Sequence, residues 1–387
     1  MSFKAVCKRE LKRLSSRRLY LLITIIFPLV SVLFFALLFS SGNPENLPVA
    51  IFDADNSAFS RQLTRNLDAN QILWVKFSLS SLEEIKKHML SGDIYGAIYI
   101  PARFEAEVLK GSSPEVICFY NNAYLLTGGL ISKEVTITVS AFSSTIAAQN
   151  LMRGGESYLK LKTNASPLQL DAHVLYNPAV NYFYYLATAF MPIMLLIFIL
   201  TATVYVIGIE FKESTAANWL QTSGGNIAKA LVGKLCPYFV IYFVLLEFVN
   251  LVIFKYFNVP QLGNQAVLHY NSILFVLAYM ACGIFIAATF KSLRLSLSVS
   301  SVFAALAFTF SGLTFPYQGM DKLVAFAGNF FPYSHYLKIF IDQSFKNNTV
   351  IFSFPDFICL HAFLILPFFV YPLLKKMCQQ AKYWGKS

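Results

Sequence analysis

Six apolar runs, each about as long as a bilayer core is thick, constrain this 387-residue chain more than any other feature. They are Leu19 to Phe39, Tyr182 to Ile209, Leu235 to Phe254, Ile273 to Phe290, Leu295 to Phe315 and Phe357 to Leu374. About 20 apolar residues cross the hydrocarbon layer as a helix, and a helix satisfies its own backbone polar groups there. The composition agrees: 56% of residues are hydrophobic and only 13% charged, outside the range of soluble chains. The expected fold class is therefore an α-helical integral membrane protein with six transmembrane helices. Pro28, Pro192, Pro237 and Pro367 fall inside these runs and predict local bends, because neighbouring helices and water can satisfy the freed carbonyls.

The formal net charge of +11 raises nucleic acid as a partner, but the placement of the charge argues for a membrane. Lys4, Lys8, Arg9, Lys12, Arg13, Arg17 and Arg18 precede the first run, and Lys375, Lys376, Lys382 and Lys386 follow the last. Basic flanks mark the cytoplasmic side and attract anionic lipid. Both termini are expected in the cytoplasm, and no nucleic-acid partner is expected. Residues 1–18 read as a cytoplasmic amphipathic helix on the inner leaflet, with Phe3, Cys7, Leu11 and Leu14 on one face. Residues 19–39 form the first span, which lacks a small-residue cleavage site after it and so reads as an uncleaved anchor. Residues 376–387 are a cytoplasmic tail.

From Leu47 the hydrophobic period changes. "LPVAIFD", "ILWVKFS", "YGAIYIP" and "EVICFYN" read as strands, and the segments between them as helices. The alternation predicts an inserted α/β domain between the first and second spans, residues 40–181, on the outer side of the membrane. Its last part, from about Ala123 to Lys162, reads as a helical stalk. Ser81 and Glu84 predict a capping box that opens one of its helices, and Gly92 its end.

Catalytic and metal-binding patterns are weak. The cysteines Cys7, Cys118, Cys236, Cys282, Cys359 and Cys378 have no paired metal spacing, and only Cys118 falls in the outer segment, so no structural intrachain disulfide is expected there. The five histidines are scattered, and no bound metal is expected. Asp53 and Asp55 in "DADNS" form a D-x-D at a strand end, which in a transferase would hold a divalent ion and a nucleotide sugar. The competing reading is a strand terminus with Asn56 or Ser57 capping the next helix. No G-x-x-x-x-G-K-[ST] pattern occurs, so the chain is not expected to hydrolyse ATP or to be an enzyme by itself.

The short exit between the second and third runs, "EFKESTAANWLQTSGGNIAKALVGKLCPYF", carries charges, a Trp and a Gly pair. Ser214 or Thr215 can cap a short helix, Phe211, Thr215 and Trp219 fall at i, i+4 and i+8, and Gly224-Gly225 ends it. On pattern alone it reads equally as an interfacial loop whose Trp lies at the headgroups. Inside the third run, Glu247 is an intramembrane acid with Asn250 nearly a turn on. Such groups mark either a substrate path or a polar contact between helices.

The layout of one span, a large outer domain and five further spans resembles the permease subunits of type 2 ATP-binding-cassette (ABC) exporters, in the branch often labelled multidrug or drug-efflux permeases. The resemblance rests on "LPVAIFDADNSAFSRQL" with "GDIYGAIYIPARFEAEVLKG", on the loop above, and on "FSGLTFPYQGMDKLVAFAGNFFPYSHYLKIFIDQSF". It covers essentially the whole chain. The loop departs from the family's usual Glu-x-Gly-Thr and Thr-Pro, reading Glu213-Ser214-Thr215 and Thr222-Ser223 here.

The resemblance implies a transmembrane domain over 182–375 with a coupling loop at 210–233 and an outer hairpin at 316–345. In the loop, Glu210, Phe211, Lys212, Glu213, Thr215 and Trp219 would dock a separate ATPase subunit, with Phe211 and Trp219 as apolar anchors in the partner's pocket. Glu247 and Asn250 are candidates for the substrate path, and Gly312, Pro316 and Pro332 for an outer gate. The implied activity is outward movement of an apolar or amphipathic substrate across the bacterial inner membrane. No cofactor is expected on this chain; ATP and Mg belong to the partner. The implied partners are that ATPase, a second permease in a homodimer or heterodimer, membrane lipids and a periplasmic adaptor. An ATPase-independent receptor of the same topology is the alternative.

Overall fold

A computed structural model describes residues 3–40, 42, 44–154, 176, 177, 181 and 183–385. The chain divides into two compact units, Met1–Ser40 with Leu175–Ser387, and Ser41–Val174.

The second unit is built on a four-stranded sheet with strands β1 (Leu47–Asp53), β2 (Leu73–Ser78), β3 (Gly96–Ile100) and β4 (Ile117–Tyr120), in the order β2-β1-β3-β4. β1 runs parallel to β2 and β3, while β4 is antiparallel to β3. The central strand β1 is apolar at nearly every position because both its faces are covered. Val49 and Ile51 pack with Leu63, Leu67 and Ile131 on one side, and Ala50 packs with Ile85 and Ala97 on the other. The connecting helices are α3 (Ala58–Asp68), α4 (Leu82–Ser91) and α5 (Phe104–Leu109), followed by the long α6 (Leu125–Gly154). Ser57 opens α3 with a capping box closed by Ser60. At α4, Ser81 accepts from the Glu84 N–H, but the Glu84 carboxylate reaches Ser80 rather than Ser81. Of the stalk expected from about Ala123 to Lys162, the described part is the helix α6, and residues 155–162 lie outside the described residues.

The first unit is helical. α1 (Phe3–Ser16) precedes α2 (Arg18–Leu38), α7 (Phe183–Lys212), the short α8 (Ala216–Thr222), α9 (Ile227–Tyr256), α10 (Gln265–Phe290), α11 (Leu293–Thr309), α12 (Lys322–Gly328), α13 (Pro332–Ser344) and α14 (Val350–Gln379). Five of these, α2, α7, α9, α10 and α14, are long and apolar enough to cross a membrane; α11 is apolar but has 17 residues. It stops at Thr309 rather than at the expected Phe315, because Gly312 adopts a left-handed φ of 80° and the Tyr317 ring occupies the place a side chain there would need. α10 is the hub, packing against α7, α9, α11, α13 and α14. Between α11 and α14 the chain is broken into short pieces, of which α13 is buried along most of its length.

α1 has the expected extent but not the expected inner face. Val6, Glu10 and Leu14 point inward, whereas Phe3 and Leu11 are exposed. Glu10 is drawn in by a buried lysine of α9, and that pairing sets the rotation of the helix.

Candidate functional site

Glu210, in the last turn of α7, is fully buried and is the centre of a charge cluster. Arg9 forks onto it, with Nη1 2.7 Å from Oε1 and Nη2 2.8 Å from Oε2. Lys234 of α9 donates to Oε1 at 2.7 Å, Arg13 donates to the same oxygen, and Thr215 Oγ1 donates to Oε2. Lys234 also donates to Glu10 Oε1 at 2.8 Å and lies 5.1 Å above the Trp219 ring. Two buried carboxylates are thus met by Arg9, Arg13 and Lys234. A buried ion is tolerated only with such partners. At the rim, Arg17 forks onto Glu213 at 2.5 and 2.9 Å. The hydrogen bond from Arg17 holds the Glu213 carboxyl below its usual pKa.

Local sequence brings these groups together. Gly233 lets α1 approach α9: a side chain there would lie 2.9 Å from Val6 Cβ and 3.2 Å from the Phe3 carbonyl. Ser214 turns the chain out of α7 with φ 57°, and the Gly225 N–H closes the end of α8 onto the Leu220 carbonyl at 3.0 Å. Asn226 then opens α9, accepting from the Lys229 N–H at 3.0 Å. Thr215 stands at the head of α8, yet its hydroxyl serves Glu210 instead of capping the helix. The result is one corner in which charges of α1, α7 and α9 pair, and α8 is held to it through Thr215 and Trp219.

The expected loop residues fall in different places. Glu210 and Thr215 belong to the cluster, Glu213 pairs with Arg17, and Lys212 is exposed. Phe211 and Trp219 correct the expectation of outward anchors: both are buried within the chain, and Trp219 Nε1 donates to the Ala230 carbonyl at 3.1 Å. A short helix has one apolar face, and here its own bundle takes it. The surface left on this corner is polar and includes Asn218 and Gln221.

Glu247 and Asn250 lie together, Asn250 Nδ2 3.5 Å from Glu247 Oε1, with Glu247 Oε2 2.6 Å from His269 Nδ1 and Asn250 Nδ2 3.2 Å from Ser272 Oγ. The pair bridges α9 and α10. Pro332 opens α13, while Gly312 and Pro316 shape the turn before α12, where Tyr317 donates to the Phe310 carbonyl at 2.8 Å. Asp53 and Asp55 are committed to turns: Asp53 accepts from the Asp55 and Asn56 N–H groups and from Ser60 Oγ, and Asp55 accepts from the Glu105 N–H.

Arg9, Arg13, Glu10 and Lys234 were not singled out as partners of the loop. Their signal was present: Glu10 is the first acid in a strongly basic segment, and Lys234 borders the apolar run that begins at Leu235. Neither fact says which charges meet.

These features define a multi-pass helical membrane protein whose short connection between α7 and α9 is locked to its N-terminal helix by buried ion pairs. A family model described as ABC-2 family transporter protein matches residues 18–370, and the chain belongs to that family. The family supplies a membrane component of ABC transport, not itself a catalytic ATPase, and its membership implies an ATPase subunit as partner. No curated protein matches the chain.

Proposed function

We propose that this chain is the permease subunit of an ABC exporter of the drug-efflux-like branch, crossing the inner membrane six times, with the corner around Glu210 receiving the ATPase. The observation that carries this reading is the convergence of both ends of the chain on that corner. Arg9 and Arg13 of α1 bind Glu210, and at the other terminus the Gly385 N–H donates to the Phe211 carbonyl at 2.9 Å. Ends that meet on one side fit an even number of crossings, which supports reading α11, fifth in chain order, as a span in addition to the five longer helices; its 17 residues are within the range of crossing helices. The basic flanks favour the cytoplasm for that side. The unit from Ser41 to Val174 is then outside, where an adaptor could reach it.

ATP closing two partner ATPases would push on α8. Because Thr215 and Trp219 tie α8 to Glu210 of α7 and to α9, and Glu210 is bound in turn by Lys234 and Arg9, the push reaches α7, α9 and α1 together, and the spans tilt. Two permease copies would enclose the path, with Glu247 and Asn250 along it and the Gly312, Pro316 and Pro332 turns as an outer gate. Lys212, Asn218 and Gln221 present the docking surface, while Phe211 and Trp219 stiffen it from within. ATP and Mg stay on the partner, and membrane lipid surrounds the rest.

The test is gentle-detergent purification from the chain's own cells, with Asn218→Arg and Gln221→Arg run alongside. An ATP-binding subunit recovered with the wild type and lost with either variant, at unchanged thermal stability, is the expected result. Consistent absence of any ATPase from an intact preparation would favour the receptor alternative.

A further inference from the structure

Near the start of α7, at the far end of that helix from Glu210, the helical unit holds a cavity of about 500 Å³. That is the size of a site for a small organic molecule. Its walls come from the first turns of α7, the 311–317 turn and α13, and its lining carries Lys338 and Lys346 but no carboxylate among the described residues. Two other cavities in this unit lack any lysine or arginine in their linings.

The rings of the wall are held in place. Tyr184 donates to the Asn258 carbonyl and Tyr185 to the Leu313 carbonyl, each at 3.0 Å, and the Tyr317 hydroxyl is spent on Phe310. Their faces, with Leu337 and Phe345, give an apolar floor. Lys338 Nζ stands 4.5 Å from the centre of the Tyr317 ring and 3.7 Å from Asp356, a carboxylate already bound by His335 at 2.6 Å. Lys346 contacts Asp342 at 3.0 Å, and Asn348 shares that carboxylate at 3.1 Å. Neither acid lines the cavity. An anion in the cavity therefore meets two lysines and no carboxylate among the described residues of its wall.

We propose that this cavity binds an amphipathic anion, its carboxylate or phosphate head between Lys338 and Lys346 and its aliphatic or aromatic body on the tyrosine rings. A lysine ammonium suits such a head because it acts as a compact point charge without a fixed fork. The ligand is either an anionic lipid resident in the membrane or the transported molecule. Only the second source rests on the exporter reading.

The test is equilibrium binding of radiolabelled dodecanoate to the full chain in phosphatidylcholine nanodiscs, without any ATPase. Saturable binding is expected, displaced by monododecyl phosphate and not by dodecyltrimethylammonium, and weakened about tenfold or more in Lys338→Gln/Lys346→Gln at an unchanged unfolding midpoint. Equal displacement by the cationic and anionic amphiphiles would overturn the proposal in the wild type alone, whatever the fate of the variant. Unchanged affinity in a folded double variant would also overturn it. Lipid extracted from the purified chain identifies a resident lipid if an anionic phospholipid is depleted in the double variant. ATP-driven movement of dodecanoate into vesicles that also carry the partner identifies cargo. Because binding is read without ATP, failure of the exporter reading leaves a positive binding result standing.

Discussion

Lys234 Nζ lies 2.7 Å from Glu210 Oε1, with both side chains fully buried where α7, α8 and α9 meet. Removing the lysine leaves Glu10 to Arg9, and Glu210 to its two arginines and Thr215. Lys234→Met is expected to cost about 3 kcal/mol, read as a lower unfolding midpoint in detergent. In a double-mutant cycle with Glu10→Gln, the two losses should fall short of additivity by about 1 to 3 kcal/mol. Additive losses would mean that the pair is not coupled.

Trp219→Ala separates a buried support from a surface anchor. Emptying this site should destabilise the chain by about 3 to 5 kcal/mol, because a large ring and its hydrogen bond to Ala230 are lost together. An anchor aimed at a partner would instead leave the isolated chain's stability unchanged. The midpoint of the purified chain decides between them.

Gly233 sets how closely α1 lies on α9. Gly233→Leu would push into Val6 and the Phe3 carbonyl, at an expected cost of about 1 to 3 kcal/mol. The visible consequence is faster trypsin cleavage at Lys8 and Lys12, with the α/β unit cut at its original rate.

The Arg17–Glu213 pair makes stability depend on acid. Its folded pKa is depressed, so the contribution is full above the unfolded carboxylate value of about 4.3 and is lost as pH falls through the lower folded value. Both side chains are about one-third exposed, which limits the effect to less than about 1 kcal/mol after solvent screening. Midpoints of wild type and Glu213→Gln should differ near neutrality and converge in acid; a gap that widens in acid contradicts the assignment.

Asp53 tests the turn reading against the transferase reading. Asp53→Ala should lower the stability of the α/β unit by about 1 to 2 kcal/mol by freeing two N–H groups and the Ser60 hydroxyl. Magnesium or manganese should leave the wild-type midpoint unchanged. A metal-dependent rise would reinstate the D-x-D as a cation site.

Much of this molecule was legible in the order of its residues. The strand and helix alternation after Leu47 follows from side-chain period, and the span positions follow from run length, since both are properties of a few neighbouring residues. The length of α11 was overestimated because hydropathy does not register the left-handed turn at Gly312. The direction of Trp219 was misjudged for a related reason: i, i+4 spacing identifies an apolar face but not the surface that covers it.

The sequence by itself determined which segments can enter lipid, which cannot, and that charge gathers at the two ends of the chain. Only the tertiary structure decided that Arg9, Glu10, Glu210 and Lys234, separated by more than 200 residues at the extremes, share one buried cluster. Local preference is written in neighbouring side chains, whereas the pairing of buried charges depends on which helices pack together, and that is settled by the whole fold at once.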